Sequence, residues 1–104
     1  MTELQVISHT PGPAWVEGLS FREQPGVEHH LATMRSWLEA GVLVMGGPFL
    51  DEGGGGTAVV SFPSVAGADA AAQADRAVQE GLLVARTRPW LVGMSAVDLG
   101  AFRA

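Results

Sequence analysis

The chain contains no cysteine and no lysine. Without cysteine there is no disulfide framework, no thiolate metal site and no cysteine nucleophile, and nothing demands an oxidising compartment, so a cytoplasmic location is expected. Positive charge is scarce. Six arginines stand against eleven acidic residues, a net charge of -5, which repels phosphate backbones and anionic lipid and argues against nucleic acid as a partner. Long hydrophobic runs are missing as well. No stretch of about 18 unbroken apolar residues occurs, and Met1-Thr-Glu-Leu-Gln5 has no basic cluster leading into an apolar run, so neither a membrane span nor a leader is expected. What is abundant is apolar surface: 47% of the 104 residues are hydrophobic and only 16% charged. That suffices for one domain with a real core, about residues 3–94 with a tail at 95–104. It is also more apolar than a small monomer needs, which points to a self-association face and a homodimer.

Along the chain, Leu4-Gln-Val-Ile-Ser-His9 reads as a strand, ended by the turn Thr10-Pro11-Gly12-Pro13. Ala14 to Gly26 has no clean period and reads as a connector. From Val27 to Ala40 the apolar positions Val27, Leu31, Met34 and Leu38 predict one helical face, with Gly41 as the stop. Val42 to Met45, turning at Gly46-Gly47-Pro48, and Thr57 to Phe62 predict a hairpin whose floppy tip holds Gly53 to Gly56. Ser64 is the expected N-cap of an alanine-rich helix from Val65 to Ala74, and Asp75 to Gly81 reads as a further helical turn. Leu82 to Trp90, extended through Leu91 and Val92, is the last strand. The order β-α-β-β-α-β predicts a ferredoxin-like α+β fold: a four-stranded antiparallel sheet with both helices on one face. A second copy, packed sheet against sheet, is the expected cover for the other face.

Few residues can carry chemistry. His30 falls within the apolar stripe of the first helix, where an imidazole either caps the core or, with a carboxylate on its other nitrogen, serves as a general base. His29 turns to the wet side. Arg86 and Arg88, two apart on the last strand, point to one face and can receive an anionic substrate group; Trp90 shares that side, and Trp37 and Phe62 are candidates for a pocket wall. His9, His29 and His30 show no recognised ligand spacing, so no metal site is expected. The glycine run lacks the Gly-Lys-Ser/Thr ending of a phosphate loop, and no Gly-x-Ser-x-Gly elbow exists.

The run from His30 through Gly41 to Gly46-Gly47-Pro48, followed by the Thr57 to Phe62 strand, the alanine-rich helix, Asp75, and Gly81-Leu82 through Pro89-Trp90, resembles the YCII-related family. The likeness covers His30 to about Met94 and rests on order and spacing together. It implies a dimeric α+β barrel, with two ferredoxin-like units closing their sheets around a pocket in each subunit. It further implies a cofactor-free activity of the lyase or dehydrochlorinase type on small cyclic compounds, with a histidine and an aspartate that fall here on His30 and Asp75. One departure stands out. Arg76 replaces the proline that follows this aspartate in the family, placing a cation beside the carboxylate. Asp75 is also readable as a plain N-cap.

Two functions follow as expectations. One is proton transfer on a small cyclic or aromatic compound by His30 with Asp75 orienting it, Arg86, Arg88 and Trp37 contacting the substrate, and no cofactor. The other is a non-catalytic dimeric module that binds a small ligand or a partner. A His30–Asp75 contact at an open cavity favours the first; a His30 bonded only to backbone favours the second.

Overall fold

In a computed structural model, which describes residues 1–102, the elements run β1 (Thr2–Pro11), α1 (Val27–Glu39), β2 (Leu43–Pro48), β3 (Gly56–Val60), α2 (Val65–Gln73), α3 (Arg76–Gln79) and β4 (Leu83–Val92). Short 3₁₀ turns lie at Phe21–Glu23 and Gly100–Phe102. The strands form one antiparallel sheet in the order β2-β3-β1-β4. This is the expected ferredoxin-like arrangement, with β1 and β3 in the middle.

Pro11, read as part of a turn, turns out to be a strand residue, and Pro89 lies in its strand as expected. Gly12 donates its N–H to Leu82 O at 2.9 Å, so Pro11, opposite Leu83, and Pro89, opposite Gln5, both occupy positions of the β1–β4 ladder where no N–H is required. Pro11 also lies beyond the last β3 partner, Gly56, which pairs with His9. Similarly, Gly46-Gly47-Pro48 continues β2 instead of turning. β2 is an edge strand, bulged between Leu43 and Met45, where a proline costs little. The hairpin turns later, closed by the Phe49 N–H to Gly55 O bond at 2.9 Å.

Gly41 ends α1 as predicted, and Gly81 ends α3 by the same device. Gly41 and Gly81 adopt φ of 78° and 83°, while Val42 N–H reaches Trp37 O and Leu82 N–H reaches Ala77 O. Each is a left-handed cap that satisfies the last carbonyls and sends the chain directly into a strand. Ser64 caps α2 by accepting from Gly67 N–H at 2.9 Å.

The core lies between the helices and one face of the sheet. Ile7, Ala58, Val60 and Ala85 pack against Trp37 of α1 and against Ala68 and Ala72 of α2, whose small side chains allow close approach. A second cluster, Val27, Ala77, Leu82 and Leu83, joins α1 to α3. The buried stripe of α1 differs from the hydropathy reading. Val27, His30 and Trp37 face inward, with Met34 packed against the core, whereas Leu31 and Leu38 are 44% and 61% exposed.

Candidate functional site

β1 alternates Gln5, Ile7 and His9 toward the helices. His9 is flanked in register by Gly56 on β3 and Ala85 on β4, two small residues that leave room for an imidazole beneath α1. His30 comes down from α1 onto it, and the two rings meet edge to face with centroids 4.6 Å apart. Asp75 closes the group from the N-terminus of α3. Its Oδ1 accepts from Ala77 N–H at 2.9 Å, and its Oδ2 lies 2.6 Å from His30 Nδ1. Asp75 therefore divides its oxygens between two contacts: one caps a helix and the other meets a histidine.

All three residues are buried. Burial pushes the Asp75 carboxyl upward, yet the His30 hydrogen bond, the Ala77 amide and the nearby imidazoles together hold it below the ordinary carboxylate value. As a carboxylate it accepts from His30 Nδ1–H, so Nε2 is the ring nitrogen this contact leaves free. Arg76 takes no part. Its side chain turns outward to Glu80, Nε to Oε2 at 3.2 Å, so the cation that replaces the family proline neither competes for Asp75 nor contributes to its lowered pKa. Burial lowers His9 from 6.5 to about 4, with positive charge on His30 acting in the same direction and Asp75 opposing. His9 is thus neutral at physiological pH, and its buried Nε2 has no hydrogen-bond partner among the described residues.

Ligand-capable atoms of His9, His30 and Asp75 lie within 4.8 Å of one another, a two-histidine, one-carboxylate set of a type that can hold a divalent cation. The 2.6 Å between His30 Nδ1 and Asp75 Oδ2 is a hydrogen-bond length. Two ligands bonded at about 2.0–2.1 Å to one tetrahedral ion would stand about 3.3 Å apart. The arrangement is that of a hydrogen-bonded dyad backed by a third imidazole.

His30 also lines a cavity of about 220 Å³ between α1 and the β2–β3 edge, walled by Val27, Met34, Leu43 and Phe21. Gly46 and Gly47, which carry no side chains, keep its sheet side open. A wider groove of about 620 Å³ adjoins it, between the Trp15–Arg22 segment and the β2–β3 turn. Phe21 and Arg22 border both spaces. The segment carrying them is braced by Gln24, whose side chain accepts from Val16 N–H and donates to the carbonyls of Val16 and Leu19 at 2.8–3.0 Å. Phe21 is wedged between Trp15 and His30, with ring centroids 5.6 Å from each.

Of the residues singled out in the sequence, the structure brings His30 and Asp75 together. Arg86, Arg88 and Trp37 do not reach this cavity. Arg86 and Arg88 pair with Ser8 and Val6, residues that alternate with Ile7 and His9, so both arginines project from the opposite face of the sheet. Trp37 is 7% exposed and packs edge to face on Phe62 in the core. Two residues at the site were given no role there from the sequence, His9 having been weighed only as a metal ligand. His9 was signalled only by sharing the inward phase of Ile7, and Arg22 lay in a segment without period.

Among the described residues no helix is long and apolar enough to cross a membrane. No curated protein matches the chain. The YCII-related domain matches it over residues 6–90, from within β1 through most of β4. The chain belongs to the YCII-related family.

Proposed function

We propose that this protein is a cytoplasmic, homodimeric enzyme that moves a proton on a small cyclic or aromatic compound, as in an elimination or isomerisation. His30 Nε2 is the base, Asp75 the group that orients it, and no cofactor takes part. The observation that carries this reading is the buried 2.6 Å contact between His30 Nδ1 and Asp75 at the wall of a cavity. A histidine kept only for packing would bond to backbone; here a carboxylate fixes one nitrogen and frees the other. Removing a proton from an activated carbon and returning it elsewhere needs a base, its conjugate acid and a dry site, all of which this arrangement can supply. The sheet face turned away from the helices supports the dimer, since Met45, Val84 and Trp90 lie there 56%, 51% and 46% exposed.

The test is deuterium exchange in D2O, followed by proton NMR, on a panel of small lactones, cyclic enones and ring carboxylates with activated C–H bonds. The wild-type protein is expected to exchange at least one panel member. His30→Gln should slow that exchange by about 10²–10⁴-fold, and Asp75→Asn, which retains a capping side chain, by a smaller factor. Equal exchange by wild type and His30→Gln would sink the proposal.

A further inference from the structure

We propose that the ligand of the His30 cavity is a small apolar monocarboxylate and that Arg22 receives its carboxylate. The inference deepens the proton-transfer reading by naming the class of compound presented to His30, and it rests on that reading only for what happens after binding.

Of the residues lining the cavity, Arg22 alone carries a permanent charge; the rest are apolar, glycine, Thr57 and His30 itself. Among the described residues no carboxylate lies within ion-pair distance of Arg22, and the one arginine that forms such a pair is Arg76 with Glu80. An incoming anion therefore has no resident partner to displace. The backbone under Arg22 is fixed at both ends: Glu23 accepts from Ser20 N–H at 3.1 Å, and Gln24 ties down Val16 and Leu19. The neighbouring Phe21 ring leans on His30. The backbone that carries Arg22, the aromatic wall and the imidazole thus belong to one braced unit, and a planar guanidinium matches a carboxylate with two parallel N–H donors.

The rest of the cavity sets the other end of the ligand. Val27, Met34, Leu43 and Phe21 offer apolar contact, and about 220 Å³ falls below the roughly 300 Å³ at which pockets for drug-sized molecules begin. A single ring or a short branched chain fits that space. One anionic group is the limit. Glu17, Asp51 and Glu52 border the adjoining groove, and the chain carries a net charge of -5, so a second carboxylate directed away from Arg22 would meet repulsion. Arg86 and Arg88 cannot substitute from the far side of the sheet.

The experiment is a titration of the full chain, by calorimetry and by protein NMR, with benzoate and cyclohexanecarboxylate against benzamide and cyclohexanecarboxamide, which match them in shape without charge. The wild type should prefer the carboxylates by about tenfold or more. Arg22→Gln should abolish the preference, and Arg86→Gln should leave it unchanged. His30→Gln should keep most of it, which separates the two ideas. A carboxylate preference without His30-dependent deuterium exchange leaves the ligand class standing and removes proton transfer; exchange without the preference does the reverse. Arg22 is exposed, so Arg22→Gln should fold normally, with an unchanged melting temperature as the check. Equal binding of acid and amide by the wild type overturns the inference. So does a preference that survives Arg22→Gln, or failure of either acid to bind below about 10 mM.

Discussion

The two faces of the sheet are built from the same four strands and share almost nothing else. On the helix-covered face lie Ile7, Ala58, Val60 and Ala85, together with His9 beneath His30 and Asp75. On the open face stand Ser8, Val6, Arg86, Arg88, Val84 and Trp90, in the alternate phase of β1 and β4. A one-residue step along β1, from Ser8 to His9, separates a solvent-facing hydroxyl from a buried imidazole whose pKa has fallen to about 4. Burial on the first face converts ordinary side chains into candidate reagents. On the second face Val84 and Trp90 stand half exposed and offer area instead.

Breaking this contrast should cost most where packing is densest. Ile7→Ala opens the helix-covered face at a fully buried residue and should lower unfolding free energy by about 2–5 kcal/mol. Val84→Ala, on the open face and 51% exposed, should change it by no more than about 0.5 kcal/mol in the monomer. Urea denaturation of both variants decides the matter, and equal costs would mean that the second face is as much a core as the first.

Acid should sharpen the comparison. The folded state holds His9 at about 4 against 6.5, so between those values the unfolded chain binds a proton that the folded chain does not. Stability therefore falls as pH drops through this window, by at most roughly 3 kcal/mol. The lowered Asp75 pKa acts in the same sense in more acidic solution: its contribution is present above the unfolded value of 3.8 and is lost as pH falls through the folded value. Unfolding measured between pH 7 and pH 4.5 should show the slope in wild type and a flatter line in His9→Gln. Parallel lines would mean that His9 carries its proton when folded. The smallest effect on the fold, and the clearest on assembly, is expected from Trp90→Glu. It should halve the mass seen in sedimentation while leaving monomer stability nearly unchanged. An unchanged mass would place the subunit contact elsewhere or show that there is none.

Much of the architecture was legible in the residue string because its signals are local. β-branched residues marked β1, Gly41 stopped α1 with a left-handed cap, and Ser64 began α2. The pair His30–Asp75 was legible only through likeness to a family, since 45 residues separate the two and no spacing rule links a helix to a later cap. The stripe of α1 was misjudged at Leu31 and Leu38, while Val27, His30 and Met34 fell where expected. Hydropathy ranks Leu31 and Leu38 above His30 and Trp37, whereas the fold offered an edge-to-face partner for each of the latter, His9 in β1 and Phe62 just past β3. Arg22 was invisible because its value lies in being braced by Gln24 next to a cavity that exists only once β2 has crossed beside α1.

The division of labour within Asp75 ties two time scales together. One oxygen holds the Ala77 amide and the other the His30 ring, so fraying of the single turn Arg76–Gln79 and reorientation of the imidazole are one event seen from two sides. The Ala77 amide proton is thereby a built-in gauge: its rate of exchange with solvent reports, through one carboxylate, how long the histidine stays aimed.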